Sequence, residues 1–512
     1  MFKYHILFLI CFSSYIHNAI SYLIFPLEYL QNEKYKFNDN NNQKEPKDIM
    51  KQIYFRNLIT TLEIGTPQKK IQLFIQTNSD KFYITSNNPS VNSNITESNF
   101  YQFSDNEYYD ESSSSSYIKG KCNIDEYSFY PYNEICESNE TLNLYINNTK
   151  STTKEFPITL VRNLDDNIPG YMGLLHNDLE LHTTNNLITR AKSKKLISNI
   201  FWFLEYDKIN PLEKTLKGNL IIGAQPHEVY PNKYSYNDLE SVSSYKSNFP
   251  ARAWRLFINK IYVENGTQNN LEIDERIVTL NYDIYNVITT MEFHNIIKTL
   301  FIDELLEEKK CFISSFTQNI YKDLNLSFYY CDKSTKEFLY KKMPNLKFKS
   351  NDLNFVFELT KEELFYEKDD YIYFMIIFSN ESTNNWIMGQ MFTLKYNFFY
   401  NNEIQQIGLY KKISNGSNNG NLKKDDDKGG LSNGGIIAIV SVCEAVVFTL
   451  VGIIIGVKVF GEKKRKPRVN ELENEPGVKY NPKEIDANKN NISHTKNEIS
   501  PSGLNETENT IN

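Results

Sequence analysis

Leu62-Glu63-Ile64-Gly65-Thr66-Pro67-Gln68 leads through Ile71-Gln72-Leu73-Phe74-Ile75 into Gln76-Thr77-Asn78-Ser79-Asp80, and the reading of this stretch decides the fold. Ile71 to Ile75 alternates apolar and polar side chains as a strand does. The same short alternating runs recur from Tyr54 to about Lys412. Thr141 to Ile146, Leu220 to Ile222 and Phe374 to Phe378 are the clearest. Helical patterns are few, with Asn186 to Lys195, Phe293 to Leu306 and Phe392 to Tyr396 the best candidates. The expectation is an all-β protein with minor helices.

Outside that region the chain changes character. It has 512 residues, enough for a large core, and a net charge of -7, which does not point to nucleic acid. Residues 1–21 read as a secretory signal: Lys3, an apolar run from Ile6 to Phe12, and Ala19-Ile20-Ser21 as a small-residue cleavage site. Residues 22–53 read as a short polar lead-in after Leu23 to Leu27. Residues 413–433, rich in Asn and Gly and then charged, read as a flexible linker.

Residues 434–457 are long and apolar enough for a transmembrane helix. Glu444 inside it costs ~3 kcal/mol on insertion scales. Roughly a dozen Ile, Val, Leu and Phe at ~0.3–0.6 kcal/mol each outweigh that cost. The basic run Lys463 to Arg468 follows at once and places the C-terminus in the cytoplasm. Residues 458–512 read as a disordered tail. These features predict a single-pass type I protein of the plasma membrane or a secretory or endolysosomal membrane. Gly452 and Gly456 form a Gly-x-x-x-Gly pattern that would suit a homodimer of the span.

Cys11 falls in the signal and Cys443 in the span, leaving Cys122, Cys136, Cys311 and Cys331 for an oxidising lumen. Four cysteines allow three pairings. Cys122–Cys136 with Cys311–Cys331 keeps each bridge within one half of the chain. Sequons at Asn94, Asn139, Asn147, Asn265, Asn325, Asn380 and Asn415 fit a glycosylated exterior, although an Asn-rich sequence yields some by chance. His176 and His182 lack Cys or Asp partners at metal-ligand spacing, so no metal and no cofactor are read. No P-loop occurs.

The exterior part, residues 54–412, resembles the pepsin-like aspartic proteases (peptidase family A1). Ile64-Gly65-Thr66-Pro67 looks like their entry motif. Ser112 to Tyr117 is similar to the segment ahead of the family's flap, and Tyr132 falls near the flap tyrosine, although the glycines of a flap are lacking. Gly170-Tyr171-Met172-Gly173-Leu174 resembles the Gly-x-x-Gly-Leu run of the first lobe. Gly218 to Gly223 is similar to a strand that joins the lobes, and Trp254 to the tryptophan that opens the second. Trp386-Ile387-Met388-Gly389-Gln390-Met391-Phe392 resembles Trp-x-Leu-Gly-Asp-x-Phe, and Ile407-Gly408-Leu409 the closing strand. The resemblance implies a bilobal double β-barrel, with lobes at 54–235 and 236–412.

It also implies two catalytic aspartates, and both are replaced. Gln76 stands nine positions after Pro67, where the first Asp-Thr-Gly begins. In the second half Arg276-Ile277-Val278 resembles the Ala-Ile-Val before the second aspartate, which assigns Thr279 to that position. Both loops carry Asn third, at Asn78 and Asn281, and Asp fifth, at Asp80 and Asp283. Asn tolerates the backbone angles for which the family uses Gly.

Aspartic proteolysis uses two carboxylates that share one proton, one as base and one as acid. Neither an amide nor a hydroxyl is a general base of that strength. Asp80 and Asp283 lie four residues downstream, ~10 Å or more away along an extended chain at ~3.3–3.6 Å per residue. A turn role for both fits better than catalysis. Residues Thr77, Asn78, Tyr83, Tyr132 and Asn281 are expected to line the cleft. Three functions follow. The leading one is a catalytically inactive homologue that binds a peptide or protein between its lobes. The others are an active aspartic endopeptidase working through misaligned acids, and a structural surface glycoprotein with a filled cleft.

Overall fold

The computed structural model describes residues 20–30, 45–77, 79–86, 103–124, 134–162, 168–175, 186–206, 216–245, 253–263, 271–318, 324–380 and 385–411. Among them no helix is long and apolar enough to cross a membrane. Residues 413–512, His176, His182 and the sequons at Asn94, Asn265 and Asn415 lie outside the described residues, as does the signal segment apart from Ile20 and Ser21.

Strands dominate, as the alternating patterns predict. One sheet has 13 strands, a second 9 and a third 4. In the first, Leu23–Tyr29, Leu58–Ile64, Lys69–Gln76, Gly170–Gly173, Phe82–Thr85, Thr149–Arg162 and Glu134–Ile146 are neighbours in that order. The pairing of Leu23 with Ile146 then closes these strands into a barrel. The second sheet carries Arg276–Leu280, Trp386–Met388, Val287–Thr290 and Ile376–Ser379 at its centre.

The halves are stitched by strand exchange. Asn397–Asn401, from the end of the chain, pairs with Phe201–Tyr206, setting Phe399 opposite Phe203 and Tyr400 opposite Trp202. Tyr400 stacks on Trp202 with centroids 4.0 Å apart, and Trp254 packs against the same tyrosine at 5.0 Å. All three rings are fully buried. Aromatic burial on this scale is a large share of the apolar driving force.

Disulfides join directly opposed residues of neighbouring strands, Cys122 to Cys136 and Cys311 to Cys331, the pairing expected from the sequence. Of the described sequons, Asn147 lies in an exposed turn and Asn325 and Asn380 are exposed. Asn139 is half-buried in a strand, its backbone paired with Ile118.

The described parts of the stretch read as a polar lead-in are built into the fold. Leu23–Tyr29 is a strand between Gly218–Ile222 and Leu58–Ile64, with Leu23, Phe25, Leu27 and Tyr29 buried and Pro26 and Glu28 facing out. Pro46–Tyr54 is a helix with Pro at its start, Asp48 in its first turn, and Ile49, Met50 and Tyr54 buried. Those are ordinary helix-start signals. Elsewhere the helix expected over 186–195 runs Leu187–Ser193, and the one over 392–396 is Gln390–Thr393. The run 374–378 is broken at Met375, whose N–H turns to Leu364 O between the strands Tyr371–Phe374 and Ile376–Ser379.

Two glycines sit where backbone passes too closely for any side chain. A Cβ on Gly173 would lie 2.3 Å from Ser79 O, and one on Gly389 would lie 2.1 Å from Asn286 O. Both obstacles are main chain and cannot swing aside. Gly389→Ala is therefore expected to destabilise the protein by on the order of 3 kcal/mol in urea denaturation, and a loss under about 1 kcal/mol would contradict this close approach.

Candidate functional site

Two parallel strand pairs end at the centre of the molecule and define equivalent positions. Lys69–Gln76 runs beside Gly170–Gly173 with Ile75 opposite Met172 and Gln76 opposite Gly173. Arg276–Leu280 runs beside Trp386–Met388 with Thr279 opposite Ile387 and Leu280 opposite Met388. One more step sets Asn281 opposite Gly389, and Asn281 N–H donates to Met388 O at 3.0 Å. The counterpart of Gln76 is therefore Asn281.

This corrects the assignment of Thr279. Thr279 lies within its strand, paired with Arg255 on one side and Ile387 on the other. The upstream Ile-Val likeness ends the strand too early, because Thr279 and Leu280 both continue it. The departure of the second loop thus reads Asn281-Tyr282-Asp283.

Thr77 follows Gln76, is buried, and ties the two loops together. Its Oγ1 accepts from Tyr282 N–H at 3.1 Å. The hydroxyl proton has two acceptors in reach, Asn281 Oδ1 at 3.4 Å and Asp283 Oδ1 at 3.3 Å. Thr77 N–H donates to Asp283 Oδ1 at 2.8 Å. Within the second loop Asp283 N–H donates to Asn281 Oδ1 at 2.7 Å, so that side chain shapes its own turn. Tyr282 turns its ring into the aromatic core, where its hydroxyl meets that of Tyr400 at 3.1 Å.

Asp283 is the acid at this junction, half-buried as a residue but with its Oδ2 enclosed. Burial pushes its carboxyl from the ordinary 3.8 up to about 7, against the opposing pull of the two Thr77 hydrogen bonds. Among the described residues no neighbouring charge contributes. Oδ1 carries the Thr77 contacts, whereas Oδ2 is buried without a hydrogen-bond partner among the described residues. Tyr83 is half-buried on Phe82–Thr85, and its ring meets Tyr171 at 4.9 Å. Asp80 is half-buried in the turn after the first loop. Asn78 and Tyr132 lie outside the described residues.

The sequence reading missed what packs on these loops. Tyr285 N–H donates to Tyr54 O at 3.0 Å. Gln390, where the family motif has Asp, donates from Nε2 to both Arg56 O and Tyr282 O at 2.7 Å. Asn286 Nδ2 reaches Met375 O at 2.9 Å and Met50 Sδ at 3.6 Å. The Arg56 guanidinium lies 3.9 Å from the ring centre of Tyr29 and 5.6 Å from that of Tyr285. Ile49, Met50, Tyr54 and Phe55 share one apolar cluster with Phe74 and Tyr171 of the first sheet and Ile288, Phe328 and Ile377 of the second. The helix Pro46–Tyr54 thus packs against both halves.

Residues 57–412 match the family model for eukaryotic aspartyl proteases. The chain belongs to that family. No curated protein matches it.

Thr77→Val removes the hydroxyl at similar shape and leaves the buried Tyr282 N–H without its acceptor. The expected cost is ~1–3 kcal/mol in chemical denaturation, with Thr77→Ser retaining most of the stability. Equal stability of all three proteins would show that the loops do not depend on this hydroxyl.

Proposed function

We propose that this chain is a catalytically silent aspartyl protease homologue that works by binding a peptide or protein. What carries the reading is the pair of amides, Gln76 and Asn281, at the two equivalent loop positions. A side-chain amide does not titrate and cannot draw a proton from water as one carboxylate of a sharing pair does. Asp283 does not restore the pair: its shift has burial as its cause, not a second carboxylate. In this reading residues 434–457 anchor the protein in a membrane, Gly452 and Gly456 allow pairing of the span, and the sequon asparagines carry glycans on the exterior.

A specific observation supports a second reading, a structural surface glycoprotein. The helix Pro46–Tyr54 occupies the interlobe space with buried Ile49, Met50 and Tyr54. A ligand that used the whole groove would have to displace it.

The purified exterior part is expected to leave unfolded protein substrates intact at acid pH and to show no affinity for a statine-type inhibitor. Cleavage that such an inhibitor blocks, and that Asp283→Asn abolishes, would establish the active endopeptidase instead. If the protein is silent, titrating it with a peptide library separates the remaining readings. Saturable binding that competes with the segment 46–56 supports the binding module, and its absence supports the structural role.

A further inference from the structure

Asp283 is an unusual residue to find where it sits. The family has glycine at the third loop position, and here a carboxylate takes it and crosses to the opposite loop. One oxygen is engaged by Thr77, and the other is buried without a hydrogen-bond partner among the described residues. An ionised carboxylate buried with an orphan oxygen is costly unless the surroundings open to admit water. The turn that bears it is also the turn on which the segment Tyr54–Arg56 rests, through Tyr285 N–H to Tyr54 O and through Gln390, which spans Arg56 O and Tyr282 O.

We propose that Asp283 is a pH-operated clasp: uncharged, it keeps the Thr77 loop and the Tyr54–Arg56 segment closed on its turn, and ionised, it loosens both and opens the interlobe groove. Among the described residues no charged group contributes to the shift of Asp283. Tyr54 and Arg56 come from the covering segment, Asp80 and Lys81 from beyond the first loop, and Tyr282 and Tyr285 from the turn itself. The helix Gln390–Thr393 brings no ionisable side chain. The Arg56 guanidinium acts on Tyr29, Tyr285 and Tyr366. Burial holds Tyr282 and Tyr285 protonated.

The direction follows from linkage. The closed form holds the proton more tightly than a solvated carboxyl, with a value of about 7 against 3.8. Closure is therefore fully favoured below the lower value, weakens as pH rises between the two, and stays weak above the upper one. Between about pH 5 and about pH 8 the ratio of closed to open molecules falls by up to roughly a hundredfold. The segment would thus be seated in an acidic compartment and released in a neutral one.

Hydrogen exchange of the Tyr282 and Tyr285 amides tests this, because those N–H groups make the two contacts at issue. Protection is measured in the wild-type exterior part and in Asp283→Asn, which keeps the shape and never ionises. Comparing the two proteins at each pH cancels the intrinsic dependence of exchange. The wild type is expected to lose tenfold or more of its relative protection between about pH 5 and about pH 8 while the variant does not. Parallel curves overturn the proposal. Should the variant fail to fold, the Tyr282 and Tyr285 amides are referred to those of the strand Ile376–Ser379 in the wild type. A ratio constant with pH overturns the clasp, and one that falls as pH rises supports it.

Discussion

The hydrogen bonds of Thr77 hold this molecule together at its centre. Each half of the chain brings a parallel strand pair to the middle, where Gly173 and Gly389 leave room for main chain only. The loops that leave these strands carry backbone N–H groups into the buried interior, where each needs an acceptor. One threonine hydroxyl accepts from Tyr282 N–H, and one carboxylate accepts from Thr77 N–H. The register of the two halves, the inward turn of Tyr282 onto Trp202 and Tyr400, and the burial of Asp283 all follow from that crossing.

The same crossing separates scaffold from chemistry. The tie needs donors and acceptors but no titratable pair, so it persists with amides at Gln76 and Asn281. A family scaffold can thus keep its architecture while the positions that define the family's reaction hold other side chains. The acid that is present sits where backbone room was required, and its oxygen serves as a backbone acceptor. The covering helix fits the same logic. With Ile49, Met50 and Tyr54 packed across the junction, part of the space between the halves belongs to the apolar core.

Much of this was legible in the sequence where one local rule governs. Period-two alternation marks Lys69–Gln76 and a short apolar run marks Gly218–Ile222, and both are strands. The disulfide pairs follow from keeping each bridge within one half. Gly173 and Gly389 are visible as spaced motif glycines, although their need for backbone clearance appears only in three dimensions. The equivalence of Asn281 with Gln76 was not legible, because it depends on how far Arg276–Leu280 runs before it turns. A two-residue extension of a strand leaves no mark when Thr and Leu are the residues added. The helix Pro46–Tyr54 did carry its signals, in Pro46, Asp48 and the spacing of Ile49, Met50 and Tyr54. They were outweighed by the polar residues around them, since only tertiary packing shows which face is covered.

The central claim is that one carboxylate, not a proton-sharing pair, occupies the junction of the two loops. Titrating the exterior part with its aspartates labelled at the carboxyl carbon tests it by nuclear magnetic resonance. The account predicts a single-step titration for Asp283 at about 7, coupled to no second acid. A two-step curve, in which Asp283 shares its proton with another aspartate, would contradict it.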